Sequence, residues 1–260
     1  MDTDAVSVKY SVSDAVAEVT LAVPALTLAA KAQLLDALRA AAGDTAVRAI
    51  LLTGTGRVFC AGQDLGEHAA ALRADAAHAF DTVAEHYNPI AEVLTGAPKP
   101  VVAAINGTCA GAGISLAMAC DVRVCSSEAK FATAFTGIGL TFDTGLSATL
   151  ARAVGAARAS ELVLLAEPFT AQQALDWGLV GRLAAPEDVL SEARSLAARL
   201  AGGPTLAYAE AKRALAAAGP PLAEVLAGEH AAQARLGVTA DHAGAVEAFL
   251  AKQRPEFHGR

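Results

Sequence analysis

One carboxylate stands alone in a long uncharged stretch near the middle of the chain. No charged residue occurs from Phe131 to Phe142, and Asp143 then follows, directly before the turn-forming pair Thr144-Gly145. Apolar surroundings raise the pKa of a carboxyl group, because burial disfavours its charged form, and such a group can move protons near neutral pH. Asp143 is therefore a candidate acid/base. The alternative is a structural role, in which Asp143 caps a helix that begins near Gly145.

Two glycine-containing loops could supply a second kind of chemistry. The segments FCAGQDL at 59–65 and CAGAGIS at 109–115 each follow a buried strand and lead into a helix. Backbone N–H groups at a helix N-terminus are unpaired and can hold an anion. Two such groups that converge form an oxyanion hole. Glycines at strand-to-helix turns are also common for structural reasons, so spacing alone does not assign this role.

Composition excludes several classes of protein. The chain has 260 residues, 54% of them hydrophobic, and a net charge of −7. A core of that size can enclose a polar site. No Lys/Arg cluster alternates with aromatic residues, so we expect no nucleic-acid partner. The cysteines lack the spacing of a zinc site and are expected to be buried, reduced thiols, with no metal site; they are Cys60, Cys109, Cys120 and Cys125.

The uncharged segment 100–120 is long enough to cross a bilayer on count alone. Asn106-Gly107 reads as a turn, and the glycines at 111 and 113 would break a spanning helix. We therefore interpret the segment as a buried strand, a loop and a helix start. No signal peptide is recognised, and the expected location is the cytoplasm, without a membrane partner.

The elements that would position these residues alternate between strand and helix. AVAEVTLAV at 15–23 predicts an antiparallel strand, and LAAKAQLLDALRAAAG at 28–43 predicts a helix capped at Gly43. AVRAILLTG at 46–54 and PVVAAI at 100–105 predict buried strands, each followed by a glycine loop and a helix. From about Thr144 onward the pattern is helical. The prediction is an α/β fold of stacked ββα units with a helical C-terminal part.

Four segments, in this order and at these separations, resemble the crotonase superfamily of enoyl-CoA hydratases and isomerases. They are FCAGQDL at 59–65, AAINGTCAGAGISLAMACDVRV at 103–124, FATAFTGIGLTFDTG at 131–145 and ALDWGLV at 174–180. The resemblance covers nearly the whole chain. It implies the crotonase fold, trimers often paired into hexamers, and an acyl-CoA substrate, with coenzyme A as part of the substrate and no other cofactor. The expected division is an acyl-CoA-binding core at 1–195 and a helical trimerisation region at 196–260.

The resemblance also implies site residues. The thioester oxygen, as an enolate, would be held by the backbone N–H groups of Gln63 and Ala112. Substrate contacts would come from the flanking residues and from a lysine that family members often supply from a neighbouring subunit. In this sequence these positions are Ala61, Gly62, Asp64, Leu65, Gly111, Ser115, Phe135 and Lys252.

The reaction varies within the superfamily. Hydratases carry two glutamates at the positions that are Ser115 and Phe135 here, so water addition is not expected to be efficient. IGLTFDTG at 138–145, QDLGE at 63–67 and HYNPI at 86–90 resemble the aspartate-dependent isomerases, including the ring-1,2-epoxyphenylacetyl-CoA isomerases. In that branch the aspartate shuttles a proton. Phe142 and Leu146 replace the usual Pro and second Gly of that branch, so its substrate can differ.

Besides a hydratase-like enzyme with weak hydration, two alternatives to isomerisation stay open. An aspartate at this position is the nucleophile in 4-chlorobenzoyl-CoA dehalogenases, which DTGLSATLARAVGAARASEL at 143–162 also resembles. Two expected partners are missing, because Phe135 replaces a tryptophan and Asn88 a histidine, with His86 out of register. The other alternative is a paralogue that binds acyl-CoA without turnover, since LAVPALTLAAK at 21–31 lacks the family pattern and places Ala25 where a basic residue often contacts the CoA nucleotide. Candidate phosphate ligands are then Lys31, Arg57 and Lys252.

Overall fold

Ten strands and ten α-helices make up the part of the chain that the computed structural model describes, residues 6–76 and 78–260. The strands are β1 (Val8–Ser13), β2 (Val16–Leu21), β3 (Ala49–Gly54), β4 (Val58–Cys60), β5 (Val101–Ile105), β6 (Thr108–Ala110), β7 (Val122–Ser126), β8 (Lys130–Ala132), β9 (Phe169–Thr170) and β10 (Arg182–Ala184). The helices are α1 (Leu28–Gly43), α2 (Leu65–Asp75), α3 (Asn88–Gly96), α4 (Ala112–Ala119), α5 (Leu146–Leu165), α6 (Ala171–Asp176), α7 (Val189–Ala201), α8 (Thr205–Ala217), α9 (Leu222–Gly237) and α10 (Ala240–Leu250).

The strands form two sheets. The larger has the order β1-β2-β3-β5-β7-β10, and the smaller has the order β4-β6-β8-β9. Only β1 with β2 and β8 with β9 pair antiparallel; all other neighbours are parallel. Each unit places its first strand in the large sheet and its second in the small one, as β3-β4-α2 and β5-β6-α4 show. The predicted crotonase fold of repeated ββα units is confirmed.

Burial of the central strands explains their apolar sequences. All five residues of β5 are buried, as are the first five of β3. A parallel strand covered by helices on both faces has no solvent side, so its sequence does not alternate. α7 packs against the large sheet through Val189, Ala193 and Ala197. The carboxyl ends of β4 and β6 then lead directly into the two glycine loops.

Some boundaries differ from the sequence predictions. Gly43 is the last residue of α1 and Asp44 is its C-cap. The region after Thr144 is not wholly helical, because β9 and β10 extend the two sheets. The boundary expected between 195 and 196 falls inside α7. The strands β9 and β10 have too few residues to give a period-two pattern, which is why the sequence did not reveal them.

The cysteines and the apolar segment 100–120 behave as predicted. The four thiols are buried and unpaired, and burial raises the pKa of Cys60 to about 12. Segment 100–120 divides into β5, β6 and α4. Within the described residues, no helix combines the length and apolarity that crossing a bilayer requires.

Candidate active site

The two glycine loops approach each other closely around Gly62 and Ala112. Gly62 has φ +87°, and a Cβ placed there would lie 3.1 Å from the Ala110 carbonyl oxygen and 3.2 Å from the Ala112 nitrogen. Gly111 has φ +52°, also in the region that favours glycine. A side chain at residue 62 would therefore force the loops apart, and glycine lets the two backbones converge.

The two converging loops bring the backbone N–H groups of Gln63 and Ala112 to the same cavity. Leu26 pairs with the strand segment around Gln63 by donating to the Gly62 carbonyl (2.7 Å) and accepting from the Asp64 N–H (3.1 Å). Because N–H groups alternate along an extended segment, the Gln63 N–H points away from Leu26. Ala112 is the first residue of α4, whose N-terminus has no side-chain cap. Both residues line one cavity, as two N–H groups that form an oxyanion hole must do.

That cavity has a volume of about 470 Å³ and mostly apolar walls. Of the predicted substrate-binding residues, six line it: Ala61, Gly62, Asp64, Leu65, Gly111 and Phe135. Ala25 also lines it. A pocket of this size fits a small acyl group, and its apolar walls strengthen any interaction with a charge that develops inside.

Asp143 lies in the wall of the same cavity and is only 5% exposed. Its carboxylate accepts hydrogen bonds from the Thr144 hydroxyl (2.7 Å) and from the Gln233 side-chain amide (3.3 Å). The pKa of Asp143 is raised to about 6. Burial is the main cause and the nearby Glu229 carboxylate adds to it, while the hydrogen bonds from Thr144 and Gln233 and the Lys31 cation act in the opposite direction. The carboxylate is thus ionised at neutral pH yet close to its pKa, which suits an acid/base.

The backbone after Asp143 turns sharply. Thr144 has φ +61° and Gly145 has φ +80°. A β-branched residue with positive φ is an outlier in proteins, and such strain clusters at functional sites. The turn separates Asp143 from the axis of α5 and leaves its side chain on the cavity wall.

Glu229, from α9, caps α5 in place of Asp143. Its carboxylate accepts from the backbone N–H groups of Gly145 (2.7 Å) and Ser147 (2.8 Å). The N-cap residue of α5 is Gly145, without a side-chain cap hydrogen bond of its own. The alternative in which Asp143 serves as the helix cap is therefore wrong, and the physical reason is that a carboxylate from a distant helix already occupies that position.

This cap leads to a testable expectation. Glu229→Gln removes a negative charge that raises the pKa of Asp143, so the acid limb of the activity profile moves to lower pH. The same change replaces an acceptor oxygen with an amide donor facing a backbone N–H, which destabilises the fold by roughly 1–2 kcal/mol. A pH–rate profile and a thermal melt check the two effects. An unmoved acid limb would show that Glu229 does not influence the acid/base group.

Three predicted ligands lie elsewhere. Ser115 is completely buried within α4 and does not line the cavity. Lys252 is exposed just beyond α10, whose Phe249 and Leu250 do line the cavity. Arg57 is exposed and pairs with Glu128 (2.7 Å).

Lys31 is not a surface ligand for CoA phosphates. Its side chain is fully buried, and its ammonium donates to the Gln63 side-chain oxygen (3.0 Å) and the Thr82 hydroxyl (2.6 Å). The interpretation of Lys31 as a phosphate contact is therefore wrong. The helical period places position 31 on the buried face of α1. The sequence interpretation instead followed the charge of lysine, which normally favours an exposed position.

Several cavity residues had no sequence signal. Gln233 comes from α9, about ninety residues after Asp143, and its position on a helix shows no motif. His68 lines the cavity and bonds to His242 of α10 through their Nε2 atoms (2.9 Å). Because His242 Nδ1 lies 2.7 Å from the Ile138 carbonyl, it carries the proton there, and His68 is then the Nε2 donor. Burial lowers the pKa of His68 to about 4, so the pair is neutral.

The fold and the site together define a crotonase-fold protein in which two glycine loops meet at an apolar cavity. Residues 11–260 match the family described as Enoyl-CoA hydratase/isomerase. A probable enoyl-CoA hydratase of Rhodobacter capsulatus is 41% identical over 259 residues, covering 98% of each chain. The 1,2-epoxyphenylacetyl-CoA isomerase of Escherichia coli is 38% identical over 230 residues, covering 88% of each chain.

A solved structure agrees with these relatives. The crystal structure of an enoyl-CoA hydratase from Mycobacterium avium subsp. paratuberculosis K-10 is 34% identical, with a TM-score of 0.87 over 97% of this chain and 98% of that one. The chain belongs to the enoyl-CoA hydratase/isomerase family.

Proposed function

We propose that this protein is an enoyl-CoA isomerase that shifts a double bond by moving one proton through Asp143. The observation that carries the proposal is a buried carboxylate on the cavity wall that caps no helix. Two acidic residues line the cavity, but the Asp64 carboxylate accepts from the Glu67 N–H (2.8 Å) and caps α2. Asp143 bonds only to side-chain groups of Thr144 and Gln233, so its remaining lone pairs can face a substrate.

The geometry supports a two-step proton shuttle. Asp143 takes a proton from C2 of a 3-enoyl thioester, and the electron pair of the broken C–H bond moves onto the thioester oxygen as a dienolate. The N–H groups of Gln63 and Ala112 hold that oxygen. Asp143 then returns the proton to C4, the C2–C3 double bond forms, and the thioester carbonyl is restored. The mechanism needs no group other than the protein and the substrate, and coenzyme A is the part of the substrate that binds without reacting.

Hydration is the second candidate, since one relative carries the name of a probable hydratase. Water addition requires carboxylates that orient and deprotonate water, and here those positions are Ser115, buried away from the cavity, and Phe135, an apolar wall residue. We expect crotonyl-CoA hydration to be at least ~10²-fold slower than in an enzyme that retains one such group. A coupled assay of crotonyl-CoA hydration checks this. Turnover of ~10³ s⁻¹, typical of fast enzymes, would show that the proposed site is misassigned.

Assays with a set of acyl-CoA thioesters distinguish dehalogenation and binding without turnover from isomerisation. A dehalogenase would release halide from 4-chlorobenzoyl-CoA and form a covalent aryl intermediate on Asp143, whereas a proton shuttle does neither. Phe135 and Asn88 replace the tryptophan and the histidine that the resemblance to that branch implies, which disfavours dehalogenation. A binding paralogue would show acyl-CoA affinity without turnover on 3-enoyl-, 2-enoyl- and aryl-CoA thioesters.

Assembly is also part of the proposal. Phe249 and Leu250 of α10 are 55% and 42% exposed and border the cavity. A second subunit would cover this apolar surface, and we expect a homotrimer or a hexamer in which Lys252 reaches the CoA phosphates of a neighbour. Arg57 is the other candidate phosphate contact. Light scattering at micromolar concentration checks the assembly, and a stable monomer would reject both the trimer and the role of Lys252.

Because its substrates are intracellular thioesters, the proposal places the enzyme in the cytoplasm.

A further inference from the structure

Lys31 is a buried cation whose hydrogen-bond partners are neutral. Its side chain has no exposed surface, and its ammonium donates to Gln63 and Thr82, both uncharged. Among the described residues it forms no ion pair within 4.0 Å. Burying an ammonium without a counter-ion is costly, so this position calls for a compensating role.

The network around Lys31 converges on one residue of the oxyanion hole. The Gln63 side-chain oxygen accepts from both the Lys31 ammonium (3.0 Å) and the Tyr87 hydroxyl (2.7 Å). Lys31 also lies 5.1 Å from the centre of the Tyr87 ring. Tyr87 ends a π-helical turn, Val83–Tyr87, a rare structure that is frequent at functional sites. Gln63, Thr82 and Tyr87 line the cavity, and Lys31 lies behind them.

We propose that Lys31 is a positioning residue for the oxyanion hole: it fixes Gln63 through its side chain and places a positive charge behind the Gln63 N–H. A negative charge that develops on the thioester oxygen then adds to the compensation that Glu67 and Asp143 give the buried ammonium. The inference rests on the proposed function only in requiring that the cavity binds a thioester able to form an enolate. It does not require that the enolate is reprotonated at C4.

Other charges near Lys31 are consistent with this role. Burial lowers the pKa of Lys31 to about 8, and Glu67 of α2 and Asp143 act in the opposite direction. Burial is the main cause that lowers the pKa values of His68 and His86, and the Lys31 cation lowers both further. Lys31 is thus mostly protonated at neutral pH, while both histidines around it are held neutral. Of these three side chains, the Lys31 ammonium is therefore the one that is positively charged at neutral pH.

The test measures enolate stabilisation without turnover. Acetoacetyl-CoA is a β-keto thioester whose enolate absorbs in the near ultraviolet, so a pH titration of the bound ligand gives its acid dissociation constant. An oxyanion hole increases that constant relative to free acetoacetyl-CoA. In Lys31→Met, which keeps an unbranched side chain only one atom shorter and removes the charge, we expect the constant to fall by about tenfold or more. Tyr87→Phe, which leaves the charge and removes one hydrogen bond, should give a smaller fall.

Lys99→Met is the matched control. Lys99 is another buried lysine, but its ammonium donates to the carbonyls of Ala41 and Asp44 at the end of α1, and it does not line the cavity. Its removal is expected to lower the melting temperature and leave the acidity of bound acetoacetyl-CoA unchanged. If Lys31→Met behaves like this control, Lys31 is only structural.

Each outcome decides the inference. A selective loss of acidity in Lys31→Met supports it. If that variant does not fold, a loss of acidity in Tyr87→Phe supports the fixing of Gln63 through its side chain, and unchanged acidity overturns it. Wild-type protein that binds acetoacetyl-CoA without increasing its acidity, or does not bind it, overturns the inference together with the oxyanion hole. Increased acidity in a protein with no isomerase activity rejects the proposed function and leaves this inference testable by the same variants.

Discussion

Asp143→Asn is expected to lower the turnover of 3-enoyl-CoA to 2-enoyl-CoA by about 10²–10⁴-fold, the usual contribution of a proton-transfer group. Asparagine has the size of aspartate and can keep a hydrogen bond to Thr144 or Gln233, but it cannot take a proton from C2. Acyl-CoA affinity is expected to stay nearly unchanged, because the cavity walls and the two N–H donors remain. Steady-state kinetics with 3-hexenoyl-CoA, together with a direct binding measurement, check both statements.

The pH dependence gives an independent check on the same residue. The base must be ionised to act, and the pKa of Asp143 is raised to about 6. Isomerase activity of the wild type should therefore fall as the pH drops through 6, and the residual activity of Asp143→Asn should lack this limb. A wild-type profile that stays flat down to pH 4 would exclude Asp143 as the base. Near-wild-type turnover in Asp143→Asn would do so as well.

Ala112→Pro is expected to lower turnover by about 10²–10³-fold, the cost of removing one oxyanion-hole donor. Ala112 is the first residue of α4, a position where proline is favourable because its missing N–H has no helical partner. The preceding Gly111, with φ +52° and ψ −127°, is in the mirror image of the extended conformation that precedes proline. The helix is therefore retained, and the change acts on the N–H that faces the cavity.

A second variant separates loss of the donor from disturbance of the loop. Ala112→Gly alters the same residue and keeps its N–H, so its turnover should exceed that of Ala112→Pro by about tenfold or more. Rates and melting temperatures of both variants are the measurements. Equal rates in the two variants would mean that the Ala112 N–H does not hold the thioester oxygen.

The sequence predicted the parts of this fold and site that depend on local patterns. Buried strands such as β5 are continuous apolar runs, and the glycines at 62 and 111 mark places where backbones approach closely, so both can be read along the chain. Asp143 was visible because it breaks an uncharged stretch. Its raised pKa follows from burial, which the apolar neighbours already indicated.

The rest of the site depends on contacts between distant segments. Glu229 and Gln233 reach Asp143 and α5 from α9, and nothing in the helical pattern of α9 distinguishes them from surface residues. Lys31 was misread because a charged residue is normally exposed, and the acceptors that allow its burial, Gln63 and Thr82, lie 32 and 51 residues away. Such residues can be identified only once the chain is folded.

Transfer of isotope within the substrate tests the shuttle through Asp143 most directly. A 3-enoyl-CoA carrying deuterium at C2 is converted in a single turnover in ordinary water, and the deuterium at C4 of the 2-enoyl-CoA product is measured by mass spectrometry. A single buried carboxylate that accepts the deuteron and returns it predicts that part of the product carries the label at C4. If the product forms but carries no deuterium at C4, the result contradicts the shuttle and requires a separate proton donor.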